Sequence, residues 1–403
     1  MEKTDNTRNL HTIVAKSVLS GFSSSMTRTV WQPFVLSLGA PMSTLGMLES
    51  LGGMRGLLPA PLQYIGGWLS DRLGRKPFIA VGNLSGLLAV CLVVLAGTTQ
   101  VWWWLLPAVI LLGSIQIADP PQQSLIAEST PIGQRGMAYS ILIVAWIAPG
   151  IFAPTFGGFV AERWGFVPVF LIEIVLYAAG LLLILRFLRE SLRAANHGRV
   201  SLEKLKGALL GMVVPPRNLR GFYFSMAMDT FAWGMGSALL YGMLTETYGF
   251  TTLQLGIMSS AQSIAWAFSQ LPIGKLIDRH GCKPLIVLSE SMGIPIVAGW
   301  LFSTSFPAFA VLHAFFGLMA ATWIPAQTAL LANSVPEHQR GEAMGRLAVF
   351  RGLLGFPAPF IGGMLYDHFG FRAPMLANLV GVFVCIALLI LTVKEPPRGT
   401  DAL

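Results

Sequence analysis

Charge is the scarcest property of this chain. Asp, Glu, Lys and Arg make up 11% of its 403 residues, against about 25% in ordinary soluble domains. That shortage excludes a soluble globular protein, whose exterior has to be charged. Three cysteines, Cys91, Cys282 and Cys385, are too few for a disulfide framework. Two lie in apolar runs and one in a turn, so all three read as free thiols. The six histidines form no metal-spaced cluster with them, and no Gly-Lys-Ser/Thr phosphate loop occurs. Nothing therefore points to an enzyme, a metal, a cofactor or a nucleotide-driven pump. The apolar segments lack the period-two alternation of a transmembrane barrel.

Long apolar runs fill the space instead. The apolar fraction is 54% and the mean hydropathy +0.65. Windows of about 20 apolar residues, each able to cross the ~30 Å hydrocarbon layer, follow one another almost end to end. Twelve spans are expected, near 12–38, 43–69, 77–97, 102–125, 137–160, 167–188, 220–245, 252–276, 284–304, 306–331, 341–365 and 372–393. The fold class is an all-α polytopic membrane protein, since only helices satisfy their own backbone in lipid as continuous apolar runs. The polar first dozen residues and the long run after them do not read as a cleavable signal.

The net charge of +8 is explained by topology, with no need for nucleic acid. With the N-terminus inside, 21 of the 27 Lys and Arg face the cytoplasm. They are Lys3, Arg8 and Lys16; Arg72, Arg75 and Lys76; Arg135; eight from Arg186 to Arg220; Lys275, Arg279 and Lys283; Arg340; Lys394 and Arg398. Only Arg163 and Arg372 fall in outer loops. The positive-inside rule then puts both termini in the cytoplasm, and a plasma (cytoplasmic or inner) membrane is the expected location. One long loop divides the chain into an N-terminal six-helix bundle (1–190), a cytoplasmic linker (191–218) and a C-terminal six-helix bundle (219–403). In the linker, Ser201 is placed to cap an interfacial helix with Leu202, Leu205, Leu209 and Met212 on one face. A largely disordered linker is the alternative.

The chain repeats itself. Gly67-Trp-Leu-Ser-Asp71-Arg72-Leu-Gly74-Arg75-Lys76-Pro77 recurs 207 residues later as Gly274-Lys-Leu-Ile-Asp278-Arg279-His-Gly281-Cys282-Lys283-Pro284. At an offset of 205, Pro120, Gln122, Pro131, Arg135, Pro154, Gly157-Gly158 and Gly165 match Pro325, Gln327, Pro336, Arg340, Pro359, Gly362-Gly363 and Gly370. Two parallel halves related by an axis along the membrane normal are implied.

The turn Gly67-x-x-x-Asp71-Arg72-x-Gly74-Arg75-Lys76 resembles the loop 2–3 signature of the major facilitator superfamily, and the resemblance covers essentially the whole chain. Gly150-x-x-Ala153-Pro154-x-x-Gly157-Gly158 is similar to the family's span-five antiporter signature, with Ala153 where Gly is usual. A related Pro357-x-Pro359-x-x-Gly362-Gly363 lies in span eleven. Val109 stands near the place of the family's span-four arginine, so that residue's proton-handling role is not carried over. The resemblance implies a conformational latch in which Asp71 faces the start of span eleven and Arg75 reaches Glu128. Gly67, Arg72, Gly74, Arg135, Asp278, Arg279 and Arg340 complete the set. In the second copy Arg75 becomes Cys282 and Glu128 becomes Asn333, so both partners are lost together. Anchoring of these cations to anionic lipid is the competing reading.

Ionisable residues inside spans are costly and are functional candidates. Asp119, Asp229 and Glu49 are the proton-coupling candidates. Arg28, Arg55 and Arg351 lie at central depth, with Arg28–Glu49 and Arg55 or Arg351 with Asp119 or Asp229 as expected pairs. A carboxylate that takes a proton when its surroundings close, and releases it when an arginine approaches, would couple protons to rocking. Fixed structural ion pairs are the alternative. Gln122 and Gln327, beside helix-disturbing prolines, and Trp146, Trp233 and Trp323 are expected to line a substrate cavity. Glu173 and Glu290 are expected to snorkel, His313 to be peripheral, and Pro325 to disturb span ten as Pro120-Pro121 do span four.

By resemblance to drug-efflux members, the function is secondary active transport by alternating access, with proton-coupled export of small amphipathic compounds leading. A carrier or flippase of an anionic lipid or organic anion is the alternative, whether antiport, uniport or symport. A non-transporting receptor is more distant. Small-molecule substrate, protons and membrane lipid are the partners, with a monomer as the usual state for this fold.

Overall fold

A computed structural model of the chain describes residues 2–53, 56–131, 134–190, 214–336 and 340–395. Among these residues all regular structure is helical, and helices occupy all twelve expected spans. Eight are long and apolar enough to cross a membrane by length and composition. The other four are interrupted or polar. Span one is Glu2–Arg28 followed by Trp31–Ser37, and span two is Met42–Gly52 followed by Pro59–Leu73. Span seven is Arg220–Met235 followed by Leu240–Tyr248, and span eight is the single helix Thr252–His280, rich in Ser and Gln.

Proline sets one break and is absorbed at another. In span four the helix Leu105–Ser114 tightens into a 3-10 turn at Ile115–Ala118 and restarts at Asp119. Pro120 and Pro121 thus occupy the first turn, where missing N–H groups cost nothing. Span ten departs from expectation, because Phe306–Asn333 runs through Pro325 as one helix. A lone proline removes one hydrogen bond that a well-packed helix tolerates, whereas a tandem pair ends the run.

The chain forms two compact units. The first is Met1–Ala40, Leu51–Leu202 and Gly249–Ser260; the second is Pro41–Ser50, Glu203–Tyr248 and Ala261–Leu403. The start of span eight therefore belongs with the first unit and the start of span two with the second. The first unit's core includes Ile13, Ile79, Leu125, Ile126 and Ile184. The second is built around Phe222, Tyr223, Trp323, Leu330 and Phe350. The expected linker helix at 201–212 and Arg55 lie outside the described residues, as does the side chain of Asp278.

Candidate functional site

The charged turn of the first unit is a small network. Gly74 turns the chain with φ +106° between the helices Pro59–Leu73 and Arg75–Thr99. Arg75 is buried, 7% exposed. Its guanidinium donates to Asp71, to Ser70 Oγ at 3.2 Å and to Glu128 Oε1 at 3.0 Å. Asp71 itself is 61% exposed in its side chain. Arg72 lies over the Trp68 ring at 4.1 Å and donates to the Trp68 carbonyl. Gly67 admits span four: a Cβ there would meet Pro120 at 3.2 Å. Arg135 bonds the Thr130 carbonyl at 3.4 Å, and Arg340 the Ala332 carbonyl at 3.0 Å, each tying its own turn.

Two acidic residues at this end carry a symmetry that motif reading missed. Glu190 accepts from the N–H groups of Arg75 and Lys76 at 2.9 and 3.0 Å. Glu395, 205 residues later, accepts from those of Cys282 and Lys283 at 2.7 and 2.6 Å. Each carboxylate after a half's last span caps the first turn of that half's third span, where the helix dipole favours negative charge. Lys76 and Lys283 answer in reverse, donating to the Leu185 and Ile390 carbonyls at 2.9 and 3.0 Å. Loss of Arg75 in the second copy thus leaves the cap intact.

At the other end the span-five and span-eleven glycine pairs act as helix crossings. In the first unit, Cβ atoms at Gly157 and Gly158 would overlap the carbonyls of Met26 and Thr252, at 2.5 and 2.2 Å. In the second, Gly362 and Gly363 meet those of Met235 and Met42 at 2.0 and 2.4 Å. One glycine of each pair therefore admits a helix of its own half, and the other admits the exchanged segment. Repeat-related acids cap those segments. Glu162 accepts from Leu253 N–H at 3.2 Å, and Asp367 from those of Met42 and Ser43 at 3.1 and 2.9 Å. Thr155 and Ser260 hydroxyls also meet at 2.8 Å.

Between the two ends lie the intramembrane charges. In the second unit, Arg351 of span eleven binds Asp229 Oδ2 of span seven at 2.8 Å. The same guanidinium donates to Thr230 Oγ1 at 2.8 Å and Gln327 Oε1 at 2.9 Å. Asp229 is 3% exposed. In the first unit, Lys16 of span one donates to Gln122 Oε1 at 3.0 Å and attracts Asp119 electrostatically. Each unit thus holds a cluster of a carboxylate, a glutamine and a cation: Asp119, Gln122 and Lys16, then Asp229, Gln327 and Arg351. The glutamines are repeat partners; the cations come from different spans. Within each unit, a buried carboxylate beside a cation is a group able to bind a proton or a polar substrate atom.

The Major Facilitator Superfamily model matches this chain twice, over residues 16–228 and 222–402. The chain belongs to the major facilitator superfamily. Its two matches accord with the internal repeat. It is 27% identical over 388 residues to the "Multi-drug resistance efflux pump PmrA" of Streptococcus pneumoniae serotype 4, covering 94% of this chain and 95% of that one. It is 24% identical over 336 residues to the "Multidrug resistance protein MdtG" of Proteus mirabilis, covering 82% of each. In fold it is similar to the solved D-xylose-proton symporter, with TM-score 0.72, 17% identity and coverage of 97% of this chain and 98% of that one. The human organic anion transporter MFSD10 gives TM-score 0.64, 17% identity and coverage of 95% and 99%. As a member of this superfamily the chain is a secondary transporter and an integral, multi-pass membrane protein, not an enzyme.

The remaining expected residues of this superfamily member fall in several places. Arg28 ends the helix Glu2–Arg28 and is exposed, while Glu49 is half-buried in Met42–Gly52 in the second unit. Trp146 is 39% exposed. Trp233 and Trp323 are 5% and 3% exposed and pack in the second unit's interior. Trp233 lies against Trp300 and Phe316, and its indole N–H points at Glu290 Oε1, 3.3 Å away.

Three expectations are corrected. Glu173 and Glu290 do not snorkel: they are 6% and 0% exposed. Glu173 accepts from Ser23 Oγ at 2.9 Å, and Glu290 is held by Trp233, so short polar donors of neighbouring spans replace water. His313 is not peripheral, being 3% exposed, stacked on Tyr241 and tilted against Trp300. Lys16, counted among the surface cations, instead turns into its unit toward span four.

Proposed function

We propose that this transporter exports small amphipathic compounds in exchange for protons across a plasma or bacterial inner membrane, with both termini in the cytoplasm. The observation that carries the proposal is the pair of carboxylate–cation clusters, Asp119 with Lys16 and Asp229 with Arg351, one in each repeat and both between spans. A carboxylate paired with a cation from a neighbouring span is a group that can exchange a proton for a substrate during rocking. The names of the full-length relatives, multidrug resistance protein and efflux pump, support the substrate class. Asp71, Arg75 and Glu128 form the latch in this reading, and Glu49 and Arg28 remain candidates further out.

Purified protein in liposomes with a pH gradient tests this directly, with ethidium as the transported dye. Dye accumulation driven by the gradient, and proton release when dye is added without one, are expected. Asp119→Asn and Asp229→Asn should abolish gradient-driven uptake but keep dye exchange. Undiminished gradient-driven uptake in both variants rejects the coupling sites, and dye movement without proton flux rejects antiport.

An anionic substrate is less well supported. Its appeal lay in Arg28, Arg55 and Arg351, and Arg351 is already neutralised by Asp229.

A further inference from the structure

The two repeats differ sharply at one seam. Arg8-Asn9-Leu10, at the start of span one, recurs as Arg217-Asn218-Leu219 at the start of span seven, an offset of 209. This register sets Thr12 against Gly221, and the 205 offset sets Phe187 against Thr392. In the second unit the seam is shut: a Cβ on Gly221 would lie 2.5 Å from the Thr392 carbonyl oxygen. In the first unit the same seam, between spans one and six, opens into a groove of about 680 Å³. That volume falls within the ~300–1,000 Å³ range of ligand sites.

The groove is amphipathic along its length. Ala15, Leu183 and Phe187 form apolar wall, while Arg8 and His11 stand at its polar end, and among the described residues no carboxylate lines it. Arg8 is fixed rather than loose. Its guanidinium lies 5.4 Å over the Phe187 ring and donates once, at 3.1 Å, to the Arg186 carbonyl. Four of its five N–H donors remain for another partner. The Lys and Arg distribution assigns this end of the spans to the cytoplasmic leaflet, where anionic lipid resides.

We propose that this groove binds one anionic glycerophospholipid of the cytoplasmic leaflet. Its phosphodiester lies against Arg8 and His11, and an acyl chain follows Ala15, Leu183 and Phe187. Charge complementarity selects the headgroup, and the apolar wall selects a lipid over a free phosphate. The closed seam of the other repeat leaves the site without a repeat-related counterpart among the described residues. It concerns binding of a membrane component and is independent of what the protein transports.

Native mass spectrometry of the full chain in detergent, titrated with phosphatidylglycerol or with phosphatidylethanolamine of the same chains, tests the site. Wild-type protein should retain one phosphatidylglycerol in preference to phosphatidylethanolamine. Arg8→Gln should weaken that retention about fivefold, the ~1 kcal/mol worth of one cation at an anionic lipid. Thr12→Trp, which fills the groove, should remove it. Arg217→Gln, the repeat-related arginine at the closed seam, should leave it unchanged. No headgroup preference in the wild type overturns the proposal, as does an equal loss in Arg217→Gln. Displacement by glycerophosphate lacking acyl chains would show a soluble-anion site and overturn it too.

Discussion

Single residues in this protein are decided by what replaces water around them. Asp229 and Arg351 are 4% and 14% exposed in their side chains, so neither charge is solvated once the other is removed. Breaking a buried pair by deleting one partner costs about 3–5 kcal/mol. Arg351→Ala is therefore expected to lower the unfolding temperature in detergent strongly, and Arg351→Ala with Asp229→Asn to recover most of the loss. A double variant no more stable than Arg351→Ala alone would show that the pair is not what holds spans seven and eleven. Lys16 offers a milder contrast, because Gln122 and Asp119 share it. These partnerships were only partly legible in the sequence. Arg351 with Asp229 was among the expected pairs, since intramembrane charges are few and must find each other. Lys16 with Asp119 was not, because a count of surface lysines carries no information about which way a helix face turns. Glu173, Glu290 and His313 were misplaced for a related reason. Their burial depends on Ser23, Trp233 and Tyr241 from distant spans, and no local pattern announces such neighbours.

Elements meet through their ends, and there the repeat is the guide that motif reading lacked. Glu190 and Glu395, like Glu162 and Asp367, are related by the same 205-residue offset and cap helix starts in the same manner. The first-copy turn adds to its cap an arginine contact, Arg75 with Glu128 at 3.0 Å. If that contact works as a latch, Arg75→Cys and Glu128→Gln should not add. Their coupling in transport rate should correspond to roughly 0.5–3 kcal/mol, the range for residues in contact. Strictly additive losses would leave the contact as a bystander.

At the scale of the whole molecule, the twelve spans, the two repeats and the helical class follow from hydropathy and self-similarity, which need no tertiary knowledge. The exchange of short segments between units does not, because it depends on which glycine of a pair faces which neighbour. Gly157 and Gly362 serve their own halves, whereas Gly158 and Gly363 receive residues 252 and 42 from the exchanged segments. Both glycines of a pair look alike in sequence, and only the register of the crossing separates their roles. Alternating access makes a demand on these crossings. In the first unit, residues 249–260 are held on span five by Gly158, by the Glu162 cap and by Thr155 against Ser260. If transport requires that segment to leave span five in every cycle, a covalent tie there must stop it. The two hydroxyl oxygens stand 2.8 Å apart, which suits paired cysteines at those positions. In a background with Cys91, Cys282 and Cys385 replaced by Ser, Thr155→Cys with Ser260→Cys should transport normally when reduced. On oxidation it should lose at least nine-tenths of its dye transport, and recover on reduction. Full transport by the oxidised protein would mean that the segment stays on span five throughout the cycle, and that the moving contact lies at the charged turns instead.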